Sequence, residues 1–194
     1  MICIPIVGPT QYKSLEDIAA AEPLADILEL RLDLITDYDL EALLAASKKP
    51  FIVTNRTKRE GGQFSGSEEE RIETLKHAMN AGAEYVDIET STPKELLKPF
   101  LESDRKSKVI LSYHNFTDTP EVIDHLYELM CGMPADILKI VTYARDITNN
   151  IVLFNLLHRS KKDGKKLIAL CMGEKGEISR ILSPLLGGFL TFGS

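Results

Sequence analysis

A lysine stands in the middle of an apolar, β-branched run, Ile137-Leu138-Lys139-Ile140-Val141. In an extended strand the side chains alternate, so Lys139 shares a face with Ile137 and Val141 while Leu138 and Ile140 line the other. An ammonium group is expensive there, because a parallel strand is covered on both faces. Two arrangements relieve the cost. Either the stem packs while the head pairs with a carboxylate, or the amine gives up its proton readily and acts as a nucleophile that forms a Schiff base with a ketone.

Other residues of chemical interest also lie on or just after short apolar runs. In Leu28-Glu29-Leu30-Arg31-Leu32-Asp33 the charged residues share one face and the leucines the other. This is either an internal ion-pair set or a binding face for an anionic or polyhydroxylated ligand. The run ending at Thr54 leads into Asn55-Arg56-Thr57-Lys58-Arg59-Glu60-Gly61-Gly62, cations with one carboxylate and paired glycines, which reads as a solvated loop or as part of a site. Ser112-Tyr113-His114-Asn115 ends a run on a histidine, the side chain that titrates nearest neutrality. Its place one strand before Lys139 suits acid/base work. Met172-Gly173-Glu174-Lys175-Gly176 enters a helix carrying Arg180, so amide groups and a guanidinium converge where an anion could be held. His77, His125 and His158 fall in candidate helices and are read as structural or exposed.

Composition narrows the partners. With 29 acidic and 23 basic residues the formal net charge is −6, so a nucleic-acid partner is not expected. The opening Met1-Ile2-Cys3-Ile4-Pro5-Ile6-Val7 has no cationic flank and is far shorter than a membrane span, which implies neither export nor membrane anchoring. Cys3, Cys131 and Cys171 are widely spaced among apolar residues, as buried thiols of a cytoplasmic protein would be. No cysteine or histidine cluster has metal spacing and no nucleotide fingerprint follows the first strand, so no metal or cofactor is inferred.

The elements that must position these residues alternate regularly. Strands are expected at residues 2–7, 27–32, 51–54, 85–89, 109–113, 137–141, 167–171 and 189–192, and helices at about 14–25, 38–48, 67–81, 93–103, 120–131, 146–161 and 176–185. Ser67, Thr92-Pro93 and Thr119-Pro120 read as helix starts. No linker or repeat interrupts the pattern, so residues 1–194 are read as one domain. Eight βα units give a (β/α)8 barrel, apparently lacking its last helix, or an open doubly wound sheet. Polar side chains recurring at the C-terminal ends of many strands favour the barrel, whose catalytic groups collect there.

The ordered set Glu29-Leu30-Arg31-Leu32-Asp33, Glu60-Gly61-Gly62, Ser112-Tyr113-His114-Asn115, Lys139 in its strand, Met172-Gly173 through Ile178-Ser179-Arg180, and Thr191-Phe192-Gly193 resembles type I 3-dehydroquinate dehydratase over almost the whole chain. The resemblance implies a (β/α)8 barrel, commonly a homodimer. Its small-molecule substrate would be 3-dehydroquinate, dehydrated to 3-dehydroshikimate in the shikimate pathway without cofactor. It implies Lys139 as the imine-forming lysine, His114 as general acid/base and Glu60 as the carboxylate assisting it. Glu29, Arg31 and Arg56 would hold the substrate's hydroxyl groups and carboxylate, with Arg180 as the second carboxylate-binding arginine. A class I Schiff-base aldolase and a weakly active binding domain are the competing readings.

Members of the family continue past Thr-Phe-Gly into a loop that covers the substrate and then a last helix, and in some relatives a shikimate dehydrogenase domain follows. The sequence stops at Ser194. It is therefore expected to be a C-terminally incomplete barrel, with apolar helix surface uncovered and a site open to water. A chain extended by about thirty residues, a loop and one helix at ordinary lengths, should show a higher melting temperature and a higher kcat/KM. Equal values for the two lengths in thermal denaturation and steady-state assays would refute that expectation.

Overall fold

The computed structural model describes residues 1–193. Strands and helices alternate from the first strand: β1 (Ile2–Ile6), α1 (Gln11–Ala21), β2 (Ile27–Arg31), α2 (Leu40–Ala45), β3 (Phe51–Thr54), α3 (Glu68–Asn80), β4 (Tyr85–Glu89), α4 (Lys94–Glu102), β5 (Lys108–His114), α5 (Ile123–Cys131), β6 (Ile137–Tyr143), α6 (Asn149–Lys162), β7 (Leu167–Met172), α7 (Glu177–Leu185) and β8 (Thr191–Phe192). The strands follow one another in a single sheet in the order β7-β6-β5-β4-β3-β2-β1-β8. This is the (β/α)8 barrel expected from the sequence, with seven α-helices among the described residues.

The chain divides into two compact units. One holds Met1–Ile88, Thr92–Val109, Phe192 and Gly193; the other holds Glu89–Ser91 and Ile110–Thr191. In the first, β1, β2, β3 and β4 pair in parallel, with Cys3 beside Ile27, Leu28 beside Phe51 and Val53 beside Val86. These apolar positions are all buried. In the second, β5, β6 and β7 pair in parallel, with Leu111 beside Leu138 and Leu138 beside Leu167. Phe189 N–H donates to Leu167 O at 2.8 Å in the second unit, and Gly193 N–H donates to Cys3 O at 2.8 Å in the first. The last strand spans two residues, Thr191–Phe192, within the expected 189–192.

Helix boundaries differ from the sequence expectation where side chains find other partners. Thr10, not a residue near Ser14, caps α1, accepting from Lys13 N–H, and Ser14 lies inside the helix with its hydroxyl on Gly8 O. Glu22 keeps helical backbone and donates to Ile18 O at 2.9 Å, but Pro23 has no N–H to continue the ladder, so α1 ends at Ala21 rather than near residue 25. Thr92 and Thr119 do not cap: Thr92 accepts from the fully buried Arg71 at 2.7 Å, and Thr119 pairs with the Thr142 hydroxyl at 2.8 Å. Ser47 and Lys48 leave α2 early to donate to Glu22. No helix among the described residues is long and apolar enough to cross a membrane. Cys3 and Cys171 are buried and Cys131 half-buried, all as free thiols. Burial pushes the Cys171 thiol up, against hydrogen bonds with Thr142 and Thr119 that pull it down.

The start of α3 is closed from both sides. Ser67 Oγ accepts from Glu70 N–H at 3.1 Å and Glu70 Oε2 accepts from Ser67 N–H at 2.8 Å, which satisfies two amide groups that the helix cannot. Replacing Ser67 with Ala removes half of this pair and should cost about 1 kcal/mol. In a chain of this size that lowers the melting temperature by roughly 2–4 °C. An unchanged midpoint in calorimetry would mean that the cap contributes nothing.

Candidate active site

The first unit gathers four of the expected residues at the C-terminal ends of β2 and β3. Glu29 is buried on β2 and accepts from the Thr54 hydroxyl of β3 at 2.8 Å. Arg31, in register with Thr54, donates from Nε and Nη2 to the two oxygens of Asp33 at 2.9 and 2.8 Å. This forked pair leaves Nη1 outside the ion pair. Burial works against the Arg31 charge, but the Asp33 bonds and the carboxylates of Glu29 and Asp33 outweigh it even with Arg56 opposing, so the guanidinium stays above its ordinary range. Arg31 thus satisfies the ion-pair reading of this strand.

The loop after β3 separates into two kinds of charge. Lys58 and Arg59 are exposed, and Arg59 reaches Glu68 only at 3.7 Å. Arg56 and Glu60 are 3% and 5% exposed. The Arg56 guanidinium meets Asp87 of β4 at 2.9 Å. The backbone curls to hold them: a 3-10 turn spans Lys58–Glu60, Gly61 adopts φ of 80°, and Gly62 N–H donates to Thr57 O at 2.9 Å. Phe64 N–H then donates to Arg56 O at 3.1 Å. A Cβ at Gly62 would strike the carbonyl carbon and oxygen of Arg56, so the second glycine is required by close approach and the first by its left-handed backbone. Gln63 N–H donates to Asp33 Oδ2 at 3.0 Å and fixes the far side of this curl to the Arg31 pair.

In the second unit Lys139 is 5% exposed, in register with Ser112 on β5 and Ile168 on β7. His114 is in register with Val141, so alternation puts Ser112, His114, Lys139 and Val141 on one face of adjacent strands. His114 is half-buried, with Phe116 nearly parallel at 6.4 Å between ring centroids and 22° between planes. Arg180 is half-buried in the second turn of α7. Its carbonyl accepts from the Thr191 hydroxyl at 2.7 Å, and the preceding Ser179, fully buried, accepts from Cys171 N–H at 2.8 Å and donates to Gly176 O at 2.7 Å. These bonds tie the start of α7 to the end of β7.

An amine on an apolar strand, beside an imidazole on the next, can attack a carbonyl and move protons around the adduct. Buried, paired guanidinium groups can receive a carboxylate. Sequence reading overlooked Asp87 as the partner of Arg56 and Thr54 as the partner of Glu29. The signal for Asp87 was present: Tyr85-Val86-Asp87-Ile88-Glu89 alternates, and both carboxylates prove buried.

Comparison with known proteins agrees with this geometry. The family described as type I 3-dehydroquinase matches residues 2–194. A 3-dehydroquinate dehydratase of Dehalococcoides mccartyi is 44% identical over 95% of this chain and 82% of its own length. One from Methanococcus maripaludis is 39% identical over 100% of this chain and 89% of its own. The crystal structure of a type I 3-dehydroquinate dehydratase from Clostridium difficile, with covalently modified comenic acid, superposes with a TM-score of 0.90 at 25% identity, covering 99% of this chain and 83% of that one. Strand order, the residues held at the strand ends and similarity over the full length converge: this chain belongs to the type I 3-dehydroquinase family of enzymes.

Proposed function

We propose that this chain dehydrates 3-dehydroquinate to 3-dehydroshikimate through a Schiff base on Lys139, as a lyase of the shikimate pathway. The observation that carries the reading is the placement of Lys139, buried in the centre of an apolar strand with Ser112 beside it and His114 on the same face of the neighbouring strand. Family membership and the names of its relatives supply the substrate.

The neutral amine of Lys139 adds to the substrate ketone, and the carbinolamine loses water to give an imine, which serves as an electron sink. His114 takes the proton from the carbon next to the imine. The electrons move toward the nitrogen and return to expel the hydroxyl group, which leaves as water once a proton is supplied. A second water hydrolyses the product imine, restoring the amine and the ketone, so one water is released overall. Glu60, on the glycine-curled loop, assists the histidine in this reading. Arg56 and Arg180 receive the substrate carboxylate, while Glu29 and Arg31 hold hydroxyl groups.

Borohydride added with 3-dehydroquinate should reduce the imine to a stable secondary amine, and peptide mass analysis should find the adduct on Lys139. An adduct on Lys58 or Lys175, or an active enzyme that traps none, overturns the assignment.

Replacement of His114 by Ala should lower kcat by about 10² to 10⁴, the usual worth of a positioned acid/base group. Replacement of Arg180 by Ala should act mainly on KM, because it removes a contact made in the ground state. Near-normal turnover without His114 would transfer the role of base to another group, with Glu60 the next to replace.

A further inference from the structure

Directly after His114 the chain makes a turn that the Asn115 side chain closes from within, while Arg145 Nε donates to Thr117 O at 2.7 Å and Tyr143 N–H to Asp118 O at 3.2 Å from outside. Asn115 Oδ1 accepts from Thr117 N–H at 2.8 Å, from Asp118 N–H at 3.1 Å and from the Thr117 hydroxyl at 2.8 Å. Two main-chain donors on one atom identify it as the oxygen. Nδ2 then donates to Asp118 Oδ1 at 3.0 Å and to the Tyr113 hydroxyl at 3.4 Å. The N–H of Asn115 donates to Val141 O at 2.9 Å, which carries the β5–β6 ladder one residue past His114. Alternation sends Tyr113 and Asn115 to the face opposite Ser112 and His114, so the amide works from behind the imidazole.

We propose that Asn115 is a positioning residue for His114. The side chain closes the turn over residues 115–118, and that turn returns Phe116 to lie against the imidazole. Asparagine suits the task because its carbonyl gathers the turn's amide groups while its NH₂ ties back to Asp118 and Tyr113. Without it the amides of Thr117 and Asp118 turn to water, and the contacts from Arg145 and Tyr143 hold the turn from outside without fixing its interior, so Phe116 and the segment that follows the base gain freedom. A displacement of about 1 Å in a catalytic group can cost ~10²-fold in rate. The contacts that hold substrate in the ground state lie on other residues, so the loss falls on kcat rather than KM. This inference rests on the acid/base role given to His114 above.

The test uses three variants with steady-state kinetics on 3-dehydroquinate and borohydride trapping in the same preparations. Asn115→Ala should lower kcat by about 10- to 100-fold with KM within about threefold, while the Lys139 adduct still forms. Asn115→Asp keeps the acceptor but sets a carboxylate against Asp118, and kcat should fall as well. Adding Asp118→Asn to it restores the hydrogen bond with donor and acceptor exchanged, and kcat should return to within about threefold of the unsubstituted enzyme. A kcat for Asn115→Ala within about twofold of the unsubstituted value, or a double variant no better than Asn115→Asp alone, overturns the proposal. If Asn115→Ala does not fold, the exchanged pair decides. An unsubstituted chain that neither turns over 3-dehydroquinate nor traps it overturns the reading of the site itself, and this inference with it.

Discussion

A buried guanidinium must be neutralised where it stands, and the pairing of Arg56 with Asp87 at 2.9 Å is the interaction around which the first unit is arranged. Removing a guanidinium and a carboxylate from water costs several kcal/mol per ion even after relaxation, and only close, well-satisfied geometry recovers it. That requirement sets the rest. The loop after β3 has to double back so that Phe64 and Gly62 seal the Arg56 backbone, which fixes a glycine at 62. Asp33 has to serve Arg31 and the Gln63 amide together. Removing Asp87 would take a carboxylate from a buried guanidinium, a larger penalty than the loss of one surface ion pair.

The second unit solves a different problem with the same alternation. Lys139 stands in register with Ser112 on β5 and Ile168 on β7, in a strand of otherwise apolar neighbours from Ile137 to Val141. Lys139 is 5% exposed, and alternation sets it on the same face as Ile137, Val141 and His114. Arg180 comes from a helix, and a helix end is anchored less firmly than a strand. Ser179 makes up the difference by accepting from Cys171 N–H near the end of β7 and donating to Gly176 O just before α7.

Much of this was legible in the sequence because parallel strands announce themselves by apolar runs and because a charge inside such a run has few innocent explanations. Lys139, Glu29 and Arg31 were visible in that way, and all eight strands lie close to where the periodicity puts them. Asp87 escaped because its role depends on a partner two elements away, and local alternation gives no sign of which cation it meets. Thr92 and Thr119 misled for the converse reason. A threonine before a proline looks like a cap, but its hydroxyl takes whichever donor or acceptor tertiary packing brings nearest, here Arg71 and Thr142. Ser67, whose partner Glu70 is three residues away, was read correctly because nothing beyond its own turn is involved.

The exposed Lys58 and Arg59 have a kinetic consequence. They follow the paired Arg56 on one short loop and are exposed, so ion pairs such as that of Arg59 with Glu68 add little to stability. On a chain with a net charge of −6 they form a local island of positive potential. An anion diffusing past feels that island over about one Debye length, roughly 8 Å at physiological ionic strength. The net charge of the chain opposes its approach. The approach of an anion to this loop is therefore weakened by salt, while the buried pair of Arg56 with Asp87 is hardly screened.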